Sequence, residues 1–208
     1  VTFIPKRRWA KPTLPIDPQP LFIVPIRKEE PCLFPENLLD EPPPEMGDRL
    51  WWVVYTKSRQ EKALSRELFK YGIPFYLPQI KNTTLVRGRH RTTFMPLFAG
   101  YVFMLANEAE RVRGLTTNRV SRMLPVDDAE QLIADMRQIK RLIESNAPLT
   151  IERRLSPGHR VRIKQGSMMG IEGVVMTRRG ETRLLVCINF LQQGASVEVQ
   201  DYLLERLD

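Results

Sequence analysis

Eleven of the seventeen prolines lie within residues 1–48, among them the run Pro42-Pro43-Pro44. Each proline fixes φ and removes a backbone donor, so neither a helix nor an interior strand persists through such a segment. Residues 1–48 are therefore expected to be a Pro-rich disordered tail of extended, polyproline character. Regular structure should begin only near Leu50.

From there the pattern changes. Trp51 to Thr56 is apolar and β-favouring, the signature of a buried strand. Ser58-Arg59-Gln60-Glu61 reads as a capping box, and the following helix places Leu64, Leu68 and Tyr71 on one face before Gly72-Ile73-Pro74 ends it. Phe75 to Val86 reads as a strand that turns back at Arg87-Gly88-Arg89 and returns through His90 to Met95. Tyr101 to Leu105 and Val120 to Leu124 are further strands. Asn107 opens a short helix, and Asp127 with Glu130 caps a third, whose Leu132, Met136, Ile139 and Ile143 share a face. This order predicts an α+β fold: an antiparallel sheet flanked by helices over residues 49–146.

Residues 147–156 read as a linker. The remainder, 157–208, has four or five short β runs separated by Gly-bearing turns, as expected of a small β-barrel that removes its edges by closing. The whole, at 208 residues and 42% hydrophobic, suits one or two small domains.

The net charge of +8 is concentrated. Residues 49–148 carry 17 basic and 9 acidic side chains, against 6 and 8 in residues 1–48 and 9 and 7 in residues 149–208. A positively charged middle segment attracts phosphate backbones through counterion release, although a solvated basic surface would have the same composition. Apolar runs fall far short of the ~20 residues of a membrane-spanning helix. With no secretion signal legible at the start, a cytoplasmic location is expected. Cys32 and Cys187 have no metal-binding spacing, and His90 and His159 stand apart from any carboxylate cluster, so neither a metal nor a cofactor is expected. There is no Gly-rich phosphate loop and no nucleophile motif, which argues against an enzyme.

The most specific stretch is Pro96-Leu97-Phe98-Ala99-Gly100-Tyr101-Val102-Phe103. Its glycine bend delivers aromatics onto a strand, and the basic segment Leu85-Val86-Arg87-Gly88-Arg89-His90-Arg91 precedes it. Together with Trp51-Trp52-Val53-Val54, it resembles the N-terminal domain of the NusG family of transcription elongation and antitermination factors. Pro157-Gly158-His159-Arg160-Val161-Arg162-Ile163 and residues 166–175 resemble a KOW module, the C-terminal domain of that family. Val86-Arg87-Gly88-Arg89 and Pro96-Leu97-Phe98 are closer to the specialised RfaH-like members than to the general factors.

The resemblance implies a non-enzymatic, monomeric regulator of transcription elongation, pausing and termination that binds RNA polymerase through an aromatic-lined depression. The matching positions are Trp52, Phe98, Tyr101 and Phe103. Large aromatics make good anchors because each desolvates a wide area at low entropy cost. Strand alternation puts Tyr101 and Phe103 on one face, and for Phe103 and Trp52 burial beneath the helices fits the spacing equally well. By the same resemblance, Lys57, Arg59, Gln60 and Arg66 would meet the non-template DNA strand, and Arg87, Arg89 and Arg91 upstream DNA. Met168, Met169 and Ile171 of the KOW loop would meet a further partner: Rho, a small-subunit ribosomal protein or RNA. The alternative is an RNA-binding or ribosome-associated KOW protein. The family's Pro-Gly before the tyrosine is Ala99-Gly100 here.

Overall fold

The computed structural model describes residues 31–40, 47–86, 88–152, 158–178, 180–200 and 203–207. They form an antiparallel-sheet-rich α+β fold with three α-helices. The first sheet has the order β1-β3-β6-β2-β7, all neighbours antiparallel. Its strands are β1 (Leu33–Phe34), β2 (Leu50–Thr56), β3 (Phe75–Tyr76), β6 (Tyr101–Ala106) and β7 (Val120–Pro125). A separate two-stranded hairpin, β4 (Gln79–Val86) with β5 (Arg89–Pro96), projects from it. The single strand expected from Phe75 to Val86 is thus two strands, broken at Leu77-Pro78. Pro78 has no N–H to give a ladder, whereas its carbonyl accepts from Leu97 N at 2.8 Å.

Alternation along β2 and β6 divides the first sheet into two apolar faces. Val54, Val102, Met104 and Ala106 pack with Leu64 and Leu68 of α1 (Glu61–Lys70). Trp51, Val53, Phe103 and Leu105 pack on the opposite side with Leu132, Met136, Ile139 and Leu142 of α3 (Ala129–Glu144). The short α2 (Glu108–Thr116) begins in a complete capping box between Asn107 and Glu110. In contrast, no capping box forms at Ser58. Arg59 takes a left-handed φ of 59°, Gln60 becomes the N-cap without a side-chain capping bond, and Glu61 is turned inwards. Tyr71, expected on the buried face of α1, is exposed as its C-cap. For α3, Asp128 and not Asp127 accepts from the backbone, at Gln131 N.

The second sheet has the order β13-β9-β10-β11-β12-β8. Its strands are β8 (Leu149–Glu152), β9 (Arg160–Ile163), β10 (Glu172–Arg178), β11 (Glu181–Ile188), β12 (Gln193–Glu198) and β13 (Leu204–Arg206). Within the described residues the ladder ends at β13 and β8 and is not closed by hydrogen bonds. Residues 149–152, read from sequence as linker, are the strand that covers the β12 edge. Val161, Ile163, Val197 and Val199 join the core, as alternation predicts, whereas on β11 the cluster takes Leu184, Val186 and Ile188. Leu185, read from sequence as core, is buried but out of phase with them, and Val174 is only half-buried. That core is continuous with the α3 side of the first sheet, because one apolar cluster holds residues of both sheets and of α3.

The expected disordered tail also needs correction where it is described. Leu33 and Phe34 extend the first sheet beside β3, and Leu38 and Leu39 are fully buried. Arg137 of α3 donates to the Leu39 carbonyl, and Lys140 pairs with Asp40 at 2.9 Å. Residues 1–30 and 41–46 of that segment lie outside the described residues.

Candidate polymerase-docking and nucleic-acid surface

The bend at residues 98–101 is held from three directions. Gly100 has φ of 86°, a left-handed conformation that favours glycine, while the space around its missing Cβ is open. Its carbonyl accepts from Thr56 N at 2.9 Å, tying the bend to the end of β2. Its N–H donates to Glu61 Oε1 at 2.6 Å, tying it to the start of α1. Tyr101 N closes the turn on Phe98 O at 3.3 Å.

Beyond this bend, Tyr101 of β6 lies directly opposite Tyr55 of β2. Their ring centroids are 4.6 Å apart, with the planes tilted by 57°. Both rings are half-buried at the margin of the larger apolar cluster. Burial raises the Tyr101 phenol above the usual tyrosine range, and its interaction with Tyr55 adds to the shift. A hydrogen bond with Gln193 of β12 opposes it, so the second sheet reaches this pair.

The four aromatics expected to form one docking surface are not brought together. Phe98 and Phe103 are 1% and 0% exposed and belong to the core. Trp52 is half-buried on the other face of the sheet, where Nε1 donates to Ala106 O at 3.1 Å and the Arg111 guanidinium lies 5.3 Å from its ring centre. Of the four, Tyr101 alone stands at the margin of the larger cluster, while Trp52 borders the smaller one. The companion of Tyr101 is Tyr55, which sequence reasoning missed. Two-residue alternation from Trp51 through Val53, with antiparallel pairing to Tyr101, carried the signal that would have found it.

Basic and polar residues gather just past the same end of β2. Lys57 N bonds Arg119 O at 2.8 Å, and Lys57 Nζ donates to Asn118 Oδ1 at 2.5 Å. Arg119 Nη1 donates to Gln60 Oε1 at 2.6 Å. Two left-handed residues, Arg59 and Asn118, let these loops meet. Lys57, Arg59 and Gln60 are thus brought together with Asn118 and Arg119, which the sequence reading did not select. Arg66 is exposed farther along α1. Arg91 is exposed on β5, opposite Thr84, and is not part of that group. Arg87 and the side chain of Arg89 lie outside what is described. The hairpin is nevertheless anchored to α1, because Lys62 Nζ donates to Phe94 O at 2.5 Å.

The loop expected to recruit a further partner faces α3. Arg141 donates to the carbonyls of Met169 (2.5 Å) and Gly170 (3.2 Å), and Glu172 N donates to Gln138 Oε1 at 3.3 Å. Ile171 is 1% exposed and belongs to the core, which corrects its assignment as a contact. Met168 is half-buried against the core, and Met169 is exposed. Ile171 directly follows the left-handed turn glycine Gly170 and precedes β10, so its burial could not be told from local alternation.

Among the described residues there is no group of His, Cys, Asp or Glu arranged to hold a metal. No helix there is long and apolar enough to cross a membrane. Residues 49–155 match the family described as NusG, transcription termination factor nusG. Among solved structures, the chain is similar to one titled as the crystal structure of the MjSpt4:Spt5 complex, conformation B. Identity there is 14%, the match covers 76% of this chain and 97% of that one, and the TM-score is 0.27.

Proposed function

Since the chain belongs to the NusG family, with just over half its length matched, we propose that it is an elongation factor of the RfaH-like kind. In this reading it binds RNA polymerase and promotes processive elongation and antitermination. The observation that carries the reading is the Tyr55–Tyr101 pair, set at the margin of the core beside the Gly100 bend. Two half-exposed phenols offer apolar ring area with a polar tip, the composition that anchors protein interfaces. Phe98 and Phe103 act beneath them as the rigid floor, and Trp52 belongs to the opposite face.

The neighbouring Lys57, Arg59, Gln60 and Arg119 group, with Arg66, supplies charge for a nucleic-acid strand lying beside the docked polymerase. Contacts to phosphate give affinity and register, not sequence choice. The second sheet is read as the KOW module, recruiting Rho, a small-subunit ribosomal protein or RNA. Of the three loop residues Met168, Met169 and Ile171, Met169 is the exposed one, and Met is adaptable at such surfaces.

The test is retention of core RNA polymerase on immobilised full-length protein, wild type against Tyr55→Ala with Tyr101→Ala. The double variant should lose most of the retained polymerase. Equal retention by the two proteins would remove the docking assignment.

A further inference from the structure

Glu61 has no place in the helix cap that its sequence context suggests. It is the first residue of α1, 7% exposed, and its carboxylate accepts from Gly100 N at 2.6 Å across 39 residues of chain. A carboxylate withdrawn from water without a strong partner is costly, so its burial here implies that the bond to Gly100 is part of the native design. The bond is placed where it matters most for the surface. Gly100 is the residue immediately before Tyr101, and its carbonyl is already held by Thr56 N, the residue after Tyr55.

We infer that Glu61 is a positioning residue for the docking surface, fixing the Gly100 bend so that the Tyr101 ring stands against Tyr55. This deepens the polymerase-docking reading and rests on it. Glu61 holds the Ala99–Gly100 peptide through the Gly100 N–H, and Thr56 holds the Gly100–Tyr101 peptide through the Gly100 carbonyl, so the two peptide planes that flank the left-handed glycine are each fixed. Loss of the Glu61 acceptor frees the Ala99–Gly100 peptide to rotate, the bend loses one of its two flanking anchors, and the Tyr101 ring shifts from its tilted contact. Gly100 adopts the bend because of its positive φ and not because of crowding, so the turn is held by its hydrogen bonds to Glu61, Thr56 and Phe98, of which Glu61 supplies the side-chain one.

Three full-length variants separate this role from a general effect on folding. Glu61→Gln keeps an oxygen acceptor at the same reach, Glu61→Asp withdraws it by one methylene, and Glu61→Ala removes it. The first readout is free of polymerase: the amide resonance and hydrogen exchange of Gly100, and the ring resonances of Tyr55 and Tyr101. Glu61→Asp and Glu61→Ala should speed Gly100 exchange by about tenfold or more and shift both tyrosine rings, while Glu61→Gln restores most of the wild-type pattern. Unchanged tyrosine resonances in folded Glu61→Asp would overturn the positioning role, whatever polymerase does. The second readout is polymerase affinity, which should fall about tenfold in Glu61→Asp and recover in Glu61→Gln. If the Tyr55→Ala, Tyr101→Ala protein loses polymerase while Glu61→Asp binds as wild type, the docking reading stands and this inference fails. If that double variant binds normally, the docking reading itself fails, and the resonance data alone decide whether Glu61 sets the bend.

Discussion

Asp135 of α3 accepts from the backbone N–H of Asn189 at 2.8 Å, joining the helix of the family-matched region to the turn between β11 and β12. The Asn189 side-chain amide reaches the same carboxylate at 3.2 and 3.3 Å, and Gln131 Nε2 adds a bond at 2.7 Å. A carboxylate with this many donors would ordinarily titrate low. Burial outweighs them, and the nearby Asp128 charge works in the same direction, so the Asp135 pKa is raised from 3.8.

The sign of the resulting pH dependence follows. An acid whose folded pKa is raised favours its protonated form in the folded state. Its stabilising contribution is complete below 3.8 and is lost as pH rises through the higher folded value. Relative to Asp135→Asn, which has no titration there, wild type should therefore gain unfolding free energy as pH falls from neutral towards 3.8. Paired urea titrations across that range check it. A difference that is flat or of opposite slope contradicts the assignment.

Leu38 and Leu39 set the second prediction. Both are fully buried although they belong to a segment whose prolines argue against regular structure. Leu39→Ala should cost about 2–5 kcal/mol in urea unfolding, as expected for a large-to-small change in a packed core. Arg137→Ala, which removes the donor to the Leu39 carbonyl, should destabilise in the same direction by less, about 1 kcal/mol. A cost below about 0.5 kcal/mol for Leu39→Ala, the level of an ordinary surface change, would show that residues 31–40 do not contribute to the fold.

These leucines mark what the sequence made legible and what it did not. The helices and most strands were readable because apolar spacing directly reports which face each buries. Leu38 and Leu39 were not, since proline content describes a segment on average while two apolar side chains decide whether it docks. Phe98 was recognised as special, but its exposure depends on α3 and the second sheet, both distant in sequence. Ser58-Arg59-Gln60-Glu61 fits a capping pattern locally, yet the left-handed turn at Arg59 and the Gly100 amide claim Glu61 instead. Local pattern lost to a tertiary partner at the very place where the aromatic bend is set. Tyr55 was within reach, since register with Tyr101 follows from alternation once the two strands are known to pair.

Gly173 gives a prediction confined to the second sheet. A Cβ built there would lie 2.4 Å from the Leu185 carbonyl oxygen and 3.0 Å from a Leu184 methyl, so the β10–β11 pairing must open to admit it. Gly173→Ala should destabilise by about 1–3 kcal/mol, the usual cost of overpacking. Hydrogen exchange should accelerate at β10 and β11 amides first, with β2 and β6 amides keeping their protection. Uniform acceleration across both sheets would mean that the two unfold as one unit, and unchanged exchange would mean that the backbone there yields freely.

The basic group past the end of β2 makes the last prediction, in salt dependence. Lys57 and Arg66 are exposed, and residues 49–148 hold an excess of basic over acidic side chains. If these two side chains meet phosphates of a single strand, each releases a counterion, and the slope of log affinity against log salt is about 0.7 per contact. Titrating a labelled single-stranded DNA at several salt concentrations should then give a slope shallower by about 0.7 for Lys57→Ala or Arg66→Ala, and by twice that for both. The weakening should be nearly the same for oligonucleotides of different sequence, because phosphate contacts carry no base information. A lower affinity with an unchanged slope would assign Lys57 to shaping the loop with Asn118, and would take Lys57 and Arg66 out of the nucleic-acid contact.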